Sequence, residues 1–233
     1  MAAVGATLGE LGGQALDAVA ARVSEPDPLE EARRALLVRI ASAAYVAEPN
    51  LLPLIACELV QRSVRLGCSR ESAYGFGVFS LTVTAGWMLE LGAEHGRIAL
   101  TLVDRFDARE LAGPVQHVVH HFTRAWTGPL ASVYDHNAQM YRALMDVGDL
   151  EYAGWVLHMR AVYGYLAGVP LDALAEEIEH ALEVMRLHDH GAAVACTLPF
   201  AHLVARLRGR PRIRSRPTET TTTSRERSRR SRT

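Results

Sequence analysis

His117-Val-Val-His120-His121-Phe122 runs into Trp126-Thr-Gly-Pro129-Leu130, and one amphipathic segment later come Gly148-Asp149-Leu150-Glu151-Tyr152-Ala153 and Ala167-Gly168-Val-Pro170-Leu171. This stretch decides the fold. Rods of about 15 to 20 residues alternate with short glycine turns, the punctuation that ends one helix and starts the next. Small residues beside the turns let neighbouring rods approach closely. Helix-pair solenoids are assembled in this way.

The same marks recur on either side. Asp27-Pro28-Leu29-Glu30 is a strong helix start: Asp27 caps, Pro28 suits the first helical position, and Glu30 is placed to reach back as a capping box. The helix that follows is expected to run to about Val46, with Ala32, Ala35, Leu36, Arg39, Ile40 and Ala43 on one side, and Pro49 breaks it. Further helices are expected over 51–66, from Ser69 to about Leu91 with Gly92 closing it, 93–106, 110–126, 130–147, 150–167 and 171–187, with a weaker one over 191–207. In the 110–126 rod, Leu111, Val115, Val118, Phe122 and Ala125 step by four, three, four and three, which defines one buried stripe. No segment of real length alternates with period two, so the fold class expected is all-α, a tetratricopeptide-like solenoid without a sheet.

Three regions follow from composition. Residues 1–26 hold a weak helix interrupted by Gly5, Gly9, Gly12 and Gly13. Residues 27–207 form the helical-repeat domain. Residues 208–233 are Arg, Ser, Thr and Pro with Ile213 as the only large apolar side chain, a composition expected to be disordered. Charge divides the same way: residues 206–233 carry 11 Arg against two acids, and residues 1–205 carry 14 Arg against 24 acids. An acidic body with a basic tail leaves nucleic acid open as a partner, by counterion release and without base stacking. Out-of-frame reading of GC-rich coding would give the same tail composition.

All 25 basic residues are arginine. A phosphate loop, a protein-kinase third strand and a Schiff-base site each need a lysine, so all three are excluded for this chain. Gly75-Phe-Gly77 neither follows a strand nor precedes Lys-Ser/Thr. No cofactor and no nucleotide is expected. Cys57, Cys68 and Cys196 form no disulfide or zinc spacing, which points to a reducing cytoplasm. No signal peptide and no membrane span are read: Glu10 and Asp17 interrupt the first segment, and the best apolar run, 78–89, is short.

His117 and His121 stand one helical turn apart, as metal ligands on one helix would. They lie opposite the Leu111–Phe122 stripe, however, and are assigned with His120 to a solvated face, with no metal expected. His188-Asp189-His190 is read as positive charge meeting a helix C-terminus. Trp87, Trp126 and Trp155, with tyrosines 134, 141, 152, 163 and 165, are read as core rather than a ligand groove. No catalytic residue is assigned.

An aromatic-rich helix, Trp126-x-x-Pro129-Leu130, Gly148-Asp149-x-x-Tyr152-Ala153 and the turn from Gly168 to Leu171 together resemble the tetratricopeptide-like region of bacterial AAA-ATPase-containing signal-transduction multikinases, over roughly residues 29–188. The resemblance implies a noncatalytic interaction or relay module, a piece of a larger signalling protein, with kinase, ATPase or sensor modules as partners. It makes Trp126, Pro129, Gly148, Asp149, Tyr152 and Gly168 structural marks. Self-association is expected through an open solenoid end, with Ile178, Leu182 and Met185 left partly uncovered because Pro199 weakens the last helix.

Overall fold

Asp27 caps as its sequence position requires: its Oδ1 accepts from the backbone N–H groups of Leu29 at 3.0 Å and Glu30 at 3.3 Å, with Pro28 at the first helical position. The computed structural model describes residues 2–209. Its elements are α1 (Ala2–Leu11), α2 (Leu16–Ala21), α3 (Pro28–Ala47), α4 (Leu51–Leu66), α5 (Arg70–Ala85), α6 (Leu89–Arg105), α7 (Arg109–Val118), a π-helical turn (Val119–Arg124), α8 (Ala125–Thr127), α9 (Leu130–Val147), α10 (Leu150–Leu166), α11 (Leu171–Leu187) and α12 (Gly191–Leu207). The described residues contain no strand. One isolated bridge, Val23 to Cys68, ties the connection after α2 to the end of α4. The expected tail lies, from residue 210 onward, outside the described residues. Arg208, assigned to it, instead bonds through Nε to Asp172 Oδ1 at 2.6 Å.

The chain packs as successive antiparallel pairs, α4 with α5, α5 with α6, α9 with α10 and α11 with α12. The first half adds a centre to this pattern. Helix α5 also meets α3, α7 and the π-turn, and most of its residues are buried. Phe76, Phe79 and Val83 stand there with Leu59 and Val60 of α4, Ile98 and Leu102 of α6 and Val115 of α7. Such close packing needs small residues on the helix faces. A Cβ on Gly92 of α6 would fall 2.0 Å from Thr84 Oγ1 of α5. Gly92 is therefore a contact point inside α6, not the joint the sequence suggested. The joint is Gly86-Trp87-Met88, where Trp87 takes φ 64°.

Three further expectations are corrected. The N-terminal segment is two helices, broken where Gly12 and Gly13 turn to φ 54° and 74°, and Val4, Leu11, Leu16 and Val19 join the main core. Helix α3 is rotated from its expected setting: Leu36 and Ile40 are exposed, while Glu30 and Arg34 are buried. The cause is an ion-pair cluster that a hydrophobicity reading discounts. Arg34 Nε bonds Glu30 Oε1 at 3.0 Å, its Nη1 bonds the Gly67 carbonyl at 3.0 Å, and Glu30 also pairs with Arg62. Burial works against the charged carboxylate, but Arg62 and Arg34 hold Glu30 below its usual range. Glu30 thus faces these arginines and does not close a capping box.

The C-terminal end is covered. Ile178, Leu182 and Met185 of α11 are all buried, in one cluster with Ala193, Ala201 and Val204 of α12. Helix α12 runs on through Pro199 to Leu207. The uncovered stripe that motivated self-association at this end does not exist.

Gly148 ends α9 in the left-handed region at φ 75°, and Asp149 Oδ1 caps α10 by accepting from Tyr152 N at 3.1 Å. Nothing lies within 4 Å of a Cβ built on Gly148, so only its dihedral resists substitution. Gly148→Val is expected to cost about 1–2 kcal/mol, the strain of a left-handed L-residue. Trp126→Ala, by contrast, is expected to cost under about 1 kcal/mol, because Trp126 is 59% exposed and the large truncation cost belongs to buried aromatics. Urea midpoints of the two variants check the ordering.

Candidate functional site

The sequence predicts one amphipathic helix over 110–126, and the structure departs from it at Val119. Leu111, Val115, Val119 and Thr123 are all buried, a constant step of four along one face. A regular helix would alternate four and three to stay in phase. The π-turn takes in more residues per revolution, which keeps every fourth residue on the inner face. The expected stripe therefore loses its later members: Val118 is only half-buried and Phe122 is 36% exposed. Two contacts fasten the turn. Thr123 Oγ1 lies 3.0 Å from Ser80 Oγ of α5; Ser80 spends its proton on the Gly77 carbonyl, so Thr123 is the donor. The Tyr163 hydroxyl of α10 donates to the His121 carbonyl.

π-turns that interrupt α-helices are frequent at functional sites, and this one distributes consecutive side chains among three environments. The first is an internal layer. His121, assigned to solvent from sequence, is 1% exposed, and its Nε2 lies 2.6 Å from Asn137 Oδ1 of α9. With Oδ1 as acceptor, Nε2 carries the proton, so Nδ1 is the acceptor facing His117 Nδ1 at 3.1 Å. His117, half-buried, sits edge-on to Tyr152 and Phe122 and near Trp155. Burial, with His121 and His158 nearby, pushes His117 down to about 3. Burial also pushes His121 down to about 4, opposed by its bond to Asn137. Burial raises the Tyr163 phenol to about 12, as suits a group that serves as donor.

The second environment is an open cleft of about 360 Å³ bounded by α6, the π-turn and α9. His120 enters it, 5% exposed, with its ring 3.9 Å from that of His136. Arg124, one turn on, donates toward His120 Nδ1 at 3.5 Å. Burial, followed by His136 and Arg124, pushes His120 down to about 3.

The third is an aromatic groove of about 200 Å³, where Phe122 and Trp126 meet Trp87, Leu81 and Leu89. Trp87 and Trp126 pack edge to face at 6.0 Å. They are 77% and 59% exposed, so neither is core. The sequence signal for this groove was the Trp87–Gly86 turn, hidden by treating 69–91 as one helix.

The other marks have local roles. Pro129 precedes α9, and Gly168 turns the chain after α10 at φ 78°. Tyr152 packs on His117. Gly113 of α7 lies against the α9–α10 turn, where a Cβ would stand 2.3 Å from Asp149 Oδ2. His188 and His190 flank Asp189 at φ 58°, and His190 packs on Gly154, where an added Cβ would be 2.9 Å from its ring. Among the described residues no group of three His, Cys, Asp or Glu side chains is placed to hold a metal ion, and no helix is long and apolar enough to cross a membrane. Compared with known proteins, the chain matches no family model, no curated protein sequence and no solved structure.

Proposed function

We propose that the chain is a noncatalytic helical interaction module, of the kind that links kinase, ATPase and sensor modules in bacterial signal-transduction multikinases, and that it works in the cytoplasm. The observation that carries this reading is the exposed Trp87–Trp126 pair over its apolar groove. Two indoles in water forgo a large burial energy, and aromatic side chains of this kind anchor protein interfaces. Trp87 is also held at φ 64°, a strained setting for a bulky residue that persists only where surrounding structure enforces it. The helix pairs from α9 to α12 support a solenoid-like extension of the α5-centred first half. The order Trp126, Pro129, Gly148, Asp149, Tyr152, Gly168 supports the multikinase reading.

Peptides selected by display on the full chain provide the test. Selected peptides are expected to lose at least tenfold in affinity for Trp87→Ala/Trp126→Ala with the helical circular dichroism unchanged. Binders indifferent to both substitutions would overturn the assignment of the groove. The charge of residues 206–233 favours a second reading, a nucleic-acid-associated regulator. A salt-dependent shift with generic DNA that disappears on cutting after Leu207 would select it.

A further inference from the structure

The aromatic groove leaves the cleft on the other side of the π-turn without a role. We propose that this cleft binds a phosphate group, presented by a small phosphomonoester, with His120, His136 and Arg124 as its ligands. The argument begins with tautomers. The Arg124 guanidinium donates to His120 Nδ1, so in neutral His120 the proton is on Nε2. His120 lines the cleft, and its Nε2 is not among the fully buried polar atoms that lack a partner, so that N–H is open to water or a ligand in the cleft. An acceptor entering the cleft takes the place of water as the partner of that N–H.

The second point is charge. The His120 and His136 rings lie 3.9 Å apart, tilted by 32°, beside a permanent guanidinium. Three groups able to be cationic converge where each disfavours charge on the others. A bound dianion reverses that balance: both imidazoles become donors, and Arg124 adds further N–H groups on a fork matched to phosphate oxygens. The rest of the lining fits the remainder of such a ligand. Gln116 and Gln139 offer amides, Asp104 on the α6 wall accepts from a hydroxyl, and Leu100 and Met140 supply apolar surface. The volume of about 360 Å³ lies at the lower end for small-molecule sites. This mode uses no glycine loop and no lysine, so it is compatible with the exclusion of a phosphate-loop nucleotide site.

The test is a titration of the full chain, with ring-labelled histidine, against inorganic phosphate and then glycerol 3-phosphate at pH 6.5, with chloride at matched ionic strength as control. Saturable movement of the His120 and His136 ring resonances is expected with both phosphates and not with chloride. Both titrations should move to higher pH, and protons should be taken up on binding. Arg124→Gln, at an exposed position, and His136→Gln, at a half-buried one, are each expected to weaken binding at least tenfold while the circular dichroism spectrum stays helical. Absence of a saturable response to either phosphate would overturn the proposal. A response that persists undiminished in both variants would also overturn it, by assigning the phosphate to the arginines of 206–233.

Discussion

Between pH 7 and pH 5 the protein is expected to lose about 6 kcal/mol of stability in phosphate-free buffer. The sign follows from the direction of the histidine shifts. His117 and His120 titrate at about 3 and His121 at about 4 in the folded protein, and each is free to titrate near 6.5 once unfolded. Below pH 6.5 the unfolded chain binds protons that the folded chain refuses. The stabilising contribution is therefore complete above about 6.5 and is lost as pH falls toward 3–4. At pH 5 each imidazole accounts for about 2 kcal/mol, and the three together approach the whole stability of an ordinary domain. Glu30, held below its usual range, contributes its own loss only at lower pH. Urea midpoints at pH 7.5, 6 and 5 measure the slope. His121→Gln should flatten it, and a midpoint unchanged from 7.5 to 5 would show that these rings are hydrated in solution.

The second large effect is at Arg34. Arg34→Met is expected to cost about 3–5 kcal/mol, because it removes one partner from a buried charge network and leaves Glu30 undercompensated. The side chain is 1% exposed, and it also satisfies the Gly67 carbonyl where α4 ends. For a chain of this size the melting temperature should fall by roughly 10 °C. Glu30→Met/Arg34→Met should recover part of the loss, since removing both charges avoids the uncompensated one. A double variant no better than the single would mean that the Gly67 carbonyl bond carries the effect.

These two sites mark the limits of what periodicity can reveal. The ends of α9 and α11 and the cap at Asp27 were legible because glycine, proline and a short acceptor side chain set backbone conformation locally. The inward face of α11 was legible because charge and apolarity separate cleanly around it. Helix α3 misled because its buried turn is ionic, and a buried charge depends on distant partners: Glu30 pairs with Arg62, 32 residues on, and Arg34 bonds the Gly67 carbonyl, 33 residues on. The histidines misled for a different reason. A 3.6-residue wheel assumes one helical state throughout, and the π-turn changes the phase at Val119, so residues assigned to water turned inward and Phe122 and Trp126 turned outward. Nothing in the local sequence announces such a turn. Its fasteners, Ser80 and Tyr163, lie about 40 residues away on either side.

The three tryptophans happen to be divided between the two faces of this turn, so the protein contains its own light-emitting reporters. Trp155 lies 6.5 Å from the His117 ring and 6.1 Å from that of His158, within reach of the quenching that a protonated imidazole exerts on an excited indole. Trp87 and Trp126, at 6.0 Å and largely in water, emit to the red and couple to each other edge to face. Blue-side intensity therefore follows the ionisation of the interior, and red-side intensity follows whatever covers the outer groove. One emission spectrum separates an event inside the molecule from an event on its surface, without any label.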